Sequence, residues 1–374
     1  MNYKNANIYT EQFRFERGAF SVENGRFCRV LGEAAEDAVD LLGAYVLPGL
    51  IDVHTHGNSG ADFSDGNAAG VEKMARYMAK NGVTSFAPAS MTLPYETLEK
   101  AFASARAFVD ARLSDAAALR GIQMEGPFFS EKKKGAQNGA YLRNPDFEAF
   151  KALQDGCGGL VRIVDVAPEL PGAEEFIRKA KALCTVSIAH TDADYDAARR
   201  GIAAGVTHLT HLYNAMPAIH HRKPGVIAAA AEAETVSAEL ISDGQHVHPA
   251  SVRLAFRIFG ASRMVLISDS LRCCGMPDGE YELGGQQVFL QGGVARLADG
   301  TIAGSATNLF ECMQRAVSFG ISREDAIRAA TYNPARQIGA LSEVGSISDG
   351  KVADFVLCDA ELNRQAVYLA GEKI

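Results

Sequence analysis

The sequence predicts an α/β fold: a (β/α)8 barrel of the TIM type with a small β-sandwich domain that both chain ends build. Three observations predict it. Eight short apolar runs alternate with Ala-, Glu- and Lys-rich helical segments between residues 50 and 269. Such alternation is typical of a parallel sheet, and eight repeats favour a closed barrel over an open sheet. The two ends of the chain are β-like, and no GxGxxG or P-loop motif supports a nucleotide-binding alternative.

The elements of the barrel follow one another from the Pro48-Gly49 break onwards. The predicted strands are 50–54, 84–89, 121–125, 161–167, 185–190, 206–211, 236–243 and 264–269. The clearest helices between them are 69–81, 95–111, 173–183 and 193–204. Residues 280–302 interrupt this alternation with short strands separated by Gly-Gly and Asp-Gly turns, and helices return at 307–319 and 322–332.

The small β domain is expected from residues 1–48 and 341–374, with residues 49–340 forming the barrel. Asn24-Gly25 between two apolar runs predicts a hairpin near the N-terminus. A chain of 374 residues exceeds the size at which a single core stops growing, which agrees with one large and one small domain.

Composition excludes several function classes. A net charge of −8 argues against a general nucleic-acid binder. No apolar run is long enough to cross a membrane, and the N-terminus lacks the apolar core of a signal peptide. The cysteines are seven in number, scattered and without a C-x-x-C pair, which is typical of the cytoplasm. We therefore expect a cytoplasmic protein without a nucleic-acid or membrane partner.

Histidine and acidic residues collect at the C-terminal ends of the predicted strands, where barrel enzymes place their chemistry. They are His54 and His56 on strand 1, Glu125 on strand 3, His190 on strand 5, His211 on strand 6 and Asp269 on strand 8. A single polar residue at a strand end is usually only hydrogen-bonded, but six at matching positions predict a metal site.

Other histidines receive different interpretations. His208 lies three residues before His211, so strand alternation predicts that only one of them faces the barrel mouth. We expect His211 there and His208 packed against the helices. His246 follows strand 7 in a loop that suits substrate contact, and His220 and His221 lie in a basic loop that is open to solvent.

The motifs resemble the amidohydrolase superfamily. The resemblance is carried by LPGLIDVHTHG at 47–57, the strand-end histidines, Asp269, and the closing pattern GSI…GKVAD at 345–354. Closer motifs resemble the superfamily members that remove the acetyl group from N-acetylglucosamine 6-phosphate. These motifs are EGPF at 125–128, KGA at 134–136, THLYNAM at 210–216, DGQH at 243–246, GSA at 304–306 and TYNPAR at 331–336.

The resemblance implies the following roles. Glu125, His190 and His211 hold a divalent metal (zinc, iron, manganese or cobalt), and His54 and His56 can hold a second, with Glu125 bridging. Asp269 is the catalytic acid and base at the metal. The substrate contacts are Asn214, Ala215, Arg222 and His246. Gln137 stands where some members have a histidine, so the polarising role of an imidazole does not carry over, but we expect Gln137 to contact the substrate as a hydrogen-bond donor. The enzyme is expected to be a homodimer in which Arg222 reaches the neighbouring subunit's substrate phosphate.

The expected reaction is hydrolysis of an amino-sugar phosphate to glucosamine 6-phosphate and acetate. One alternative is another amidohydrolase acting on a cyclic amide or an aminated base, which would lack the phosphate-binding set of Asn214, Arg222 and His246. A second alternative is a metal-free, non-catalytic binding scaffold. Such a protein would have lost strand-end ligands, whereas all six positions are filled here.

Overall fold

The chain begins with a sheet beside the barrel. The computed structural model describes residues 1–374 and has five strands before the first histidine motif. They are β1 (Asn2–Tyr9), β2 (Phe15–Glu23), β3 (Arg26–Cys28), β4 (Val39–Asp40) and β5 (Tyr45–Pro48). Strands β2 and β3 form the hairpin predicted at Asn24-Gly25, whose φ angles of 52° and 73° are those that a tight two-residue turn requires.

Parallel strands then alternate with helices. The strands are β6 (Leu50–Thr55), β7 (Gly57–Asn58), β8 (Ala61–Asp62), β9 (Val83–Pro88), β10 (Ala118–Leu119), β11 (Ile122–Met124), β12 (Val161–Val166), β13 (Thr185–Ile188), β14 (His208–Leu209), β15 (Ser237–Ile241) and β16 (Met264–Ile267). The helices are α1 (Ala68–Lys80), α2 (Tyr95–Ala111), α3 (Phe147–Gly156), α4 (Ala173–Ala180), α5 (Tyr195–Ala204), α6 (Gly225–Glu232) and α7 (Pro249–Phe259). Single 3₁₀ turns lie at Phe63–Asp65, Glu131–Lys133 and Gly139–Tyr141. Strands β7 and β8 are a short hairpin outside the parallel set.

The parallel strands close around one interior. Hydrogen bonding orders them as β10-β9-β6 and as β11 to β16. A parallel bridge between Ala89 and Gln123 joins the two groups on one side. On the other side the Asp269 amide donates to the His54 carbonyl at 2.9 Å, so the last strand adjoins the first. The predicted eight-strand alternation is therefore present, with strand 3 broken into β10 and β11.

The helices cover the outside of the strands with apolar faces. In α1, Val71, Met74, Ala75 and Met78 are buried at the spacing of three and four residues that one helix face requires. Asn67 begins this helix by accepting a hydrogen bond from the Ala69 amide. This packing leaves the ends of the strands as the place where polar side chains can gather.

Several strands end earlier than predicted. Strand β14 stops at Leu209, β13 at Ile188 and β16 at Ile267, two residues before His211, His190 and Asp269 respectively. These three residues have φ angles of 30°, 43° and 48°. Such left-handed backbone cannot continue a strand. The direction of each side chain therefore does not follow the in-and-out alternation of the preceding strand.

The expectation that His208 packs against the helices is wrong. Its Nδ1 atom lies 3.2 Å from the Ser187 hydroxyl and 3.8 Å from a carboxylate oxygen of Glu239. Glu239 in turn bonds His54 on β6, which is not a neighbour of β15, so these side chains meet across the barrel interior. Because the backbone of His211 is itself left-handed, strand alternation does not place His208 and His211 on opposite sides.

A β insertion follows the barrel strands, as predicted for residues 280–302. It consists of β17 (Gly279–Leu283), β18 (Gln286–Gln291), β19 (Val294–Leu297) and β20 (Ile302–Ser305), paired antiparallel in that order. The Ser305 amide donates to the Asp269 carbonyl at 2.8 Å. The insertion is thereby anchored next to a predicted site residue.

The remaining elements return the chain to its first sheet. Helices α8 (Leu309–Ser318), α9 (Arg323–Ala330) and α10 (Tyr332–Gln337) precede β21 (Phe355–Cys358), β22 (Arg364–Leu369) and β23 (Glu372–Lys373). The order β23-β22-β21-β5-β1-β2-β3, with β4 beside β1, makes one eight-stranded sheet from both chain ends. A sandwich of two sheets and the domain boundaries stay predictions.

The helices and the cysteines bear on the expected absence of a membrane partner and on the expected cytoplasmic location. None of the helices combines the length and the apolar character needed to span a bilayer. All seven cysteines are free thiols.

Candidate metal centre and active site

Four imidazoles converge on one carboxylate. Oε1 of Glu125 lies 3.1 Å from Nε2 of His190, 3.1 Å from Nε2 of His211 and 3.6 Å from Nε2 of His54. Its other oxygen, Oε2, lies 3.3 Å from Nε2 of His56. The structure thus brings together five residues that lie far apart in the sequence, as their strand-end positions predict.

Three of the four imidazole rings are oriented by hydrogen bonds at Nδ1, the nitrogen that faces away from Glu125. Nδ1 of His54 lies 3.0 Å from Oε2 of Glu239, Nδ1 of His56 lies 3.2 Å from the Ala89 carbonyl, and Nδ1 of His190 lies 2.9 Å from the Lys133 carbonyl. Each Nδ1–H donates to an oxygen, so Nε2 is the ring nitrogen directed at Glu125, and loss of the Nε2 proton gives the Nδ1–H tautomer. This tautomer is the one in which imidazole binds a metal through Nε2.

The donor set fits a divalent metal. His54, His56 and Glu125 form one group of ligand atoms within 4.8 Å of one another, and Glu125, His190 and His211 form another. Nε2 of His54 is buried without a hydrogen bond, as expected of a ligand atom. Imidazole and carboxylate together suit zinc, iron, manganese and cobalt. Glu125 belongs to both groups, so it stands where a bridging ligand would.

Asp269 lies at the open side of this cluster. Its Oδ1 atom is 3.3 Å from Nε2 of His56 and 3.7 Å from Nε2 of His54. The Asp269 amide donates to the His54 carbonyl, and its own carbonyl accepts from the Ser305 amide. These bonds fix the left-handed backbone that turns the carboxylate towards the mouth.

Both carboxyl groups are held in their ionised form. Burial works to raise the pKa of Glu125, but hydrogen bonds from His190 and His211 hold that pKa well below its usual range. Burial likewise works to raise the pKa of Asp269, but the hydrogen bond from His56 keeps it lowered. Ionised carboxylates are the form that binds a cation and accepts a proton.

A cavity of about 170 Å³ opens above the cluster. Most of the predicted site residues line it: His56, Glu125, Gln137, His190, His211, Asn214, Ala215, His246 and Asp269. His54 lies below the cavity, fully buried. Residues 301–304, which lead into and form part of β20 of the insertion, also line the cavity.

Gln137 is engaged with Glu125. Its Nε2 atom donates to Oε2 of Glu125 at 2.8 Å, and its Oε1 atom accepts from the Thr92 amide at 2.7 Å. The side chain is buried. Gln137 therefore holds the second carboxylate oxygen of the shared ligand, while direct contact between Gln137 and substrate stays a prediction.

His246 is held by Asp243 at the rim. Nδ1 of His246 lies 2.7 Å from Oδ2 of Asp243, whose Oδ1 accepts from the amides of Gln245 and His246. Burial works to raise the pKa of Asp243, but its hydrogen bond with His246 lowers it. An ionised Asp243 fixes the ring so that Nε2 is free to contact a ligand in the cavity.

Arg222 is the one predicted site residue far from this cavity. It is exposed, and its guanidinium lies 2.7 Å from Nε2 of the adjacent His221. Arg222 lines a separate surface depression with Asp192 and Tyr195. Within a single chain the structure does not bring Arg222 to the other site residues.

Sequence reasoning missed Glu239. It lies in the middle of β15, within the run SAELI, and is fully buried. The available signal was a charged residue inside an otherwise buried parallel strand, since buried charges are rare unless they are paired. The insertion was predicted, but the placement of residues 301–304 over the site was not.

Similarity to known proteins agrees with this site. The amidohydrolase family profile matches residues 45–373. The chain is 37% identical to the N-acetylglucosamine-6-phosphate deacetylase of Bacillus subtilis (strain 168), over 96% of this chain and 93% of that protein. It is 34% identical to the N-acetylgalactosamine-6-phosphate deacetylase of Escherichia coli O157:H7, over 87% of this chain and 86% of that protein.

A solved structure matches the whole fold. It is a mutant of N-acetyl-D-glucosamine-6-phosphate deacetylase from Mycobacterium smegmatis in complex with N-acetyl-D-glucosamine-6-phosphate. It superposes with a TM-score of 0.92 at 33% identity and covers 100% of this chain and 98% of that one. A parallel barrel with histidines and a shared glutamate at its mouth has the arrangement of a metal-dependent enzyme. The chain belongs to the amidohydrolase family.

Proposed function

We propose that this protein hydrolyses the N-acetyl amide of N-acetyl-D-glucosamine 6-phosphate, which gives D-glucosamine 6-phosphate and acetate. The observation that carries the proposal is the convergence of four histidines on Glu125, with Asp269 beside them, at the base of one cavity. The chain also aligns over nearly its full length with deacetylases of amino-sugar phosphates. The filled ligand set argues against a metal-free binding scaffold.

The metal would be held by Glu125, His190 and His211, with His54 and His56 available for a second ion. A bound divalent ion supplies Lewis-acid polarisation of the amide carbonyl and lowers the pKa of water towards neutrality. Zinc, iron, manganese and cobalt all suit this donor set. We propose one or two such ions in each subunit.

Asp269 is proposed as the proton carrier. Its carboxylate is ionised and lies between His56 and the cavity, where it can take a proton from the attacking water. The water oxygen bonds to the carbonyl carbon, and the C–N bond then breaks. Asp269 returns the proton to the departing nitrogen, so glucosamine 6-phosphate leaves as the amine and acetate carries the oxygen.

The sugar is proposed to lie against Asn214, Ala215 and His246. All three line the cavity, and His246 presents Nε2 because Asp243 occupies Nδ1. Nε2 of His246 is placed to hydrogen-bond a sugar hydroxyl. Gln137 stands close to the acetyl group if that group sits at Glu125. These contacts fix the amide against the ligand cluster.

The substrate phosphate is proposed to bind Arg222 of a neighbouring subunit in a homodimer. Arg222 is exposed in a loop stiffened by Pro217 and Pro224, and it lies outside the cavity of its own chain. A guanidinium matches phosphate geometry, and most soluble oligomers are two-fold symmetric.

The seven free cysteines support a cytoplasmic location.

Acetate release from a substrate panel tests the proposal. The panel contains N-acetylglucosamine 6-phosphate, its galactosamine epimer, unphosphorylated N-acetylglucosamine, a cyclic amide and an aminated base. We expect the highest kcat/KM for N-acetylglucosamine 6-phosphate, with one acetate formed for each glucosamine 6-phosphate. A higher kcat/KM for the galactosamine epimer would reassign the sugar, and turnover of the cyclic amide or aminated base alone would overturn the deacetylase assignment.

A further inference from the structure

One carboxylate oxygen inside the barrel contacts both groups of candidate ligands. Oε2 of Glu239 lies 3.0 Å from Nδ1 of His54, which belongs to the group with His56. The same oxygen lies 3.2 Å from the backbone amide of His211, which belongs to the group with His190. Glu239 is fully buried, so its charge faces protein groups alone.

The contacts of Glu239 with His54 and with His211 have different effects. Towards His54, the carboxylate accepts a hydrogen bond from Nδ1–H and so directs Nε2 at Glu125 and Asp269. Towards His211, it accepts from the amide of a residue with φ of 30°, a conformation that L-residues adopt only when the surroundings hold them there. Ring orientation on one side and backbone shape on the other thus depend on one side chain.

No other side chain makes this pair of contacts. Asp52 also approaches His54, but it does so at the His54 backbone amide, at 3.3 Å, and it bonds Ser268 more closely at 2.5 Å. His56 and His190 are oriented by backbone carbonyls, which mutation of a side chain does not remove. Among side chains, Glu239 is therefore the one that contacts a histidine ligand from each of the two groups.

We propose that Glu239 is a positioning residue for the histidine ligands of the metal centre, holding one histidine of each group in its metal-binding geometry through a single oxygen. The inference rests on the proposed function, because it concerns the metal that function requires. Residues that orient metal-binding histidines typically change metal affinity by 10- to 100-fold when they are removed. Glu239 does not touch the cavity, so its effect on substrate is indirect.

Competition between the protein and a chelator for Co²⁺ tests this inference. Starting from the Co²⁺-loaded enzyme, the dissociation constant and the visible Co²⁺ spectrum are measured for wild type, Glu239→Ala and Glu239→Gln. We expect Glu239→Ala to bind Co²⁺ about 10- to 100-fold more weakly, with a changed spectrum. Glu239→Gln keeps an acceptor oxygen of the same size, so its affinity should fall between those of the other two proteins.

Asp165→Asn is the matched control. Asp165 is also a fully buried carboxyl group inside the barrel, but its partners are Gln123 and Thr210 rather than a ligand. Burial, together with the charge of Glu239, raises the pKa of Asp165 to about 8, so it is protonated at neutral pH and an amide replaces it without loss of charge. We expect wild-type Co²⁺ affinity and spectrum for Asp165→Asn.

Two results would overturn the inference. In one, both Glu239 variants, folded by circular dichroism, bind Co²⁺ within twofold of wild type. In the other, Asp165→Asn weakens Co²⁺ binding as much as Glu239→Ala does, which would make the effect a general response to a disturbed interior. If the wild-type protein binds no divalent ion, the proposed function fails and this inference fails with it. That outcome differs from the two above, in which the wild-type protein binds Co²⁺.

Discussion

The side-chain amide of Gln137 donates to Oε2 of Glu125 at 2.8 Å while its oxygen accepts from the Thr92 amide at 2.7 Å. The amide therefore lies between a fixed backbone donor and the carboxylate that both ligand groups share. Only a side chain with both a donor and an acceptor satisfies the two contacts at once. Glu125 is thus fixed in the orientation that meets the four histidines.

Gln137→Glu should damage this arrangement. The change conserves size but replaces the donor with a second carboxylate, which repels Glu125. A charge-assisted hydrogen bond is worth about 1.5–3 kcal/mol, so we expect kcat/KM to fall about 10- to 150-fold. The control is Gln287→Glu, which makes the same change in an exposed pair where Gln287 donates to Glu280 at 2.8 Å. Unchanged kcat/KM in Gln137→Glu would contradict the orienting role.

Asp269→Asn tests the proton carrier. The amide keeps the shape of the side chain but cannot take up a proton at neutral pH. We expect kcat to fall by about 10²- to 10⁴-fold, the usual worth of general acid–base catalysis. Metal bound by Glu125, His190 and His211 should remain, as elemental analysis would show. A variant with nearly normal kcat would remove Asp269 from the mechanism.

Arg222→Ala should abolish the preference for a phosphorylated substrate. Loss of a charge-assisted contact to phosphate predicts a fall of about 10- to 150-fold in kcat/KM for N-acetylglucosamine 6-phosphate and little change for the unphosphorylated sugar. The neighbouring Lys223, equally exposed, provides the control variant Lys223→Ala. If Arg222→Ala lowers kcat/KM equally for both sugars, then phosphate is not what Arg222 recognises.

Mixed dimers test whether Arg222 acts across the subunit interface. If it does, a dimer of one Asp269→Asn chain and one Arg222→Ala chain contains one site with both residues intact. Co-expression of the two variants should then give activity above that of either parent. Sedimentation as a monomer, or a verified mixed dimer without recovered activity, would exclude action across the interface.

The strand pattern allowed most of the barrel and site to be predicted. Apolar runs fix the positions of the strands, and His54, His56, Glu125, His190, His211 and Asp269 follow them at one end of a parallel barrel, where they must meet. In the structure the four histidines meet at Glu125, with Asp269 beside them. The sequence pattern predicts this meeting because all parallel strands of a barrel point the same way.

What could not be predicted depends on local backbone and on the barrel interior. The left-handed φ angles at His190, His211 and Asp269 end the strands early, and no proline or glycine at these positions announces them. Strands of a parallel barrel are buried on both faces, so periodicity does not tell which side of β14 or β15 is the interior. For this reason the predicted position of His208 is wrong, and Glu239 was not recognised as a site residue.

Acetate release before and after metal removal tests the central claim most directly. Wild type is stripped with a chelator and then reloaded with Zn²⁺, Fe²⁺, Mn²⁺ or Co²⁺, and acetate formed from N-acetylglucosamine 6-phosphate is measured beside the bound metal. We predict that activity disappears with the metal and returns with at least one of these ions, and that His190→Ala fails to recover either. His221→Ala, which changes an exposed histidine outside the ligand cluster, should recover the bound metal. Full acetate release by the metal-free protein, or none by the metal-loaded protein, would contradict the account.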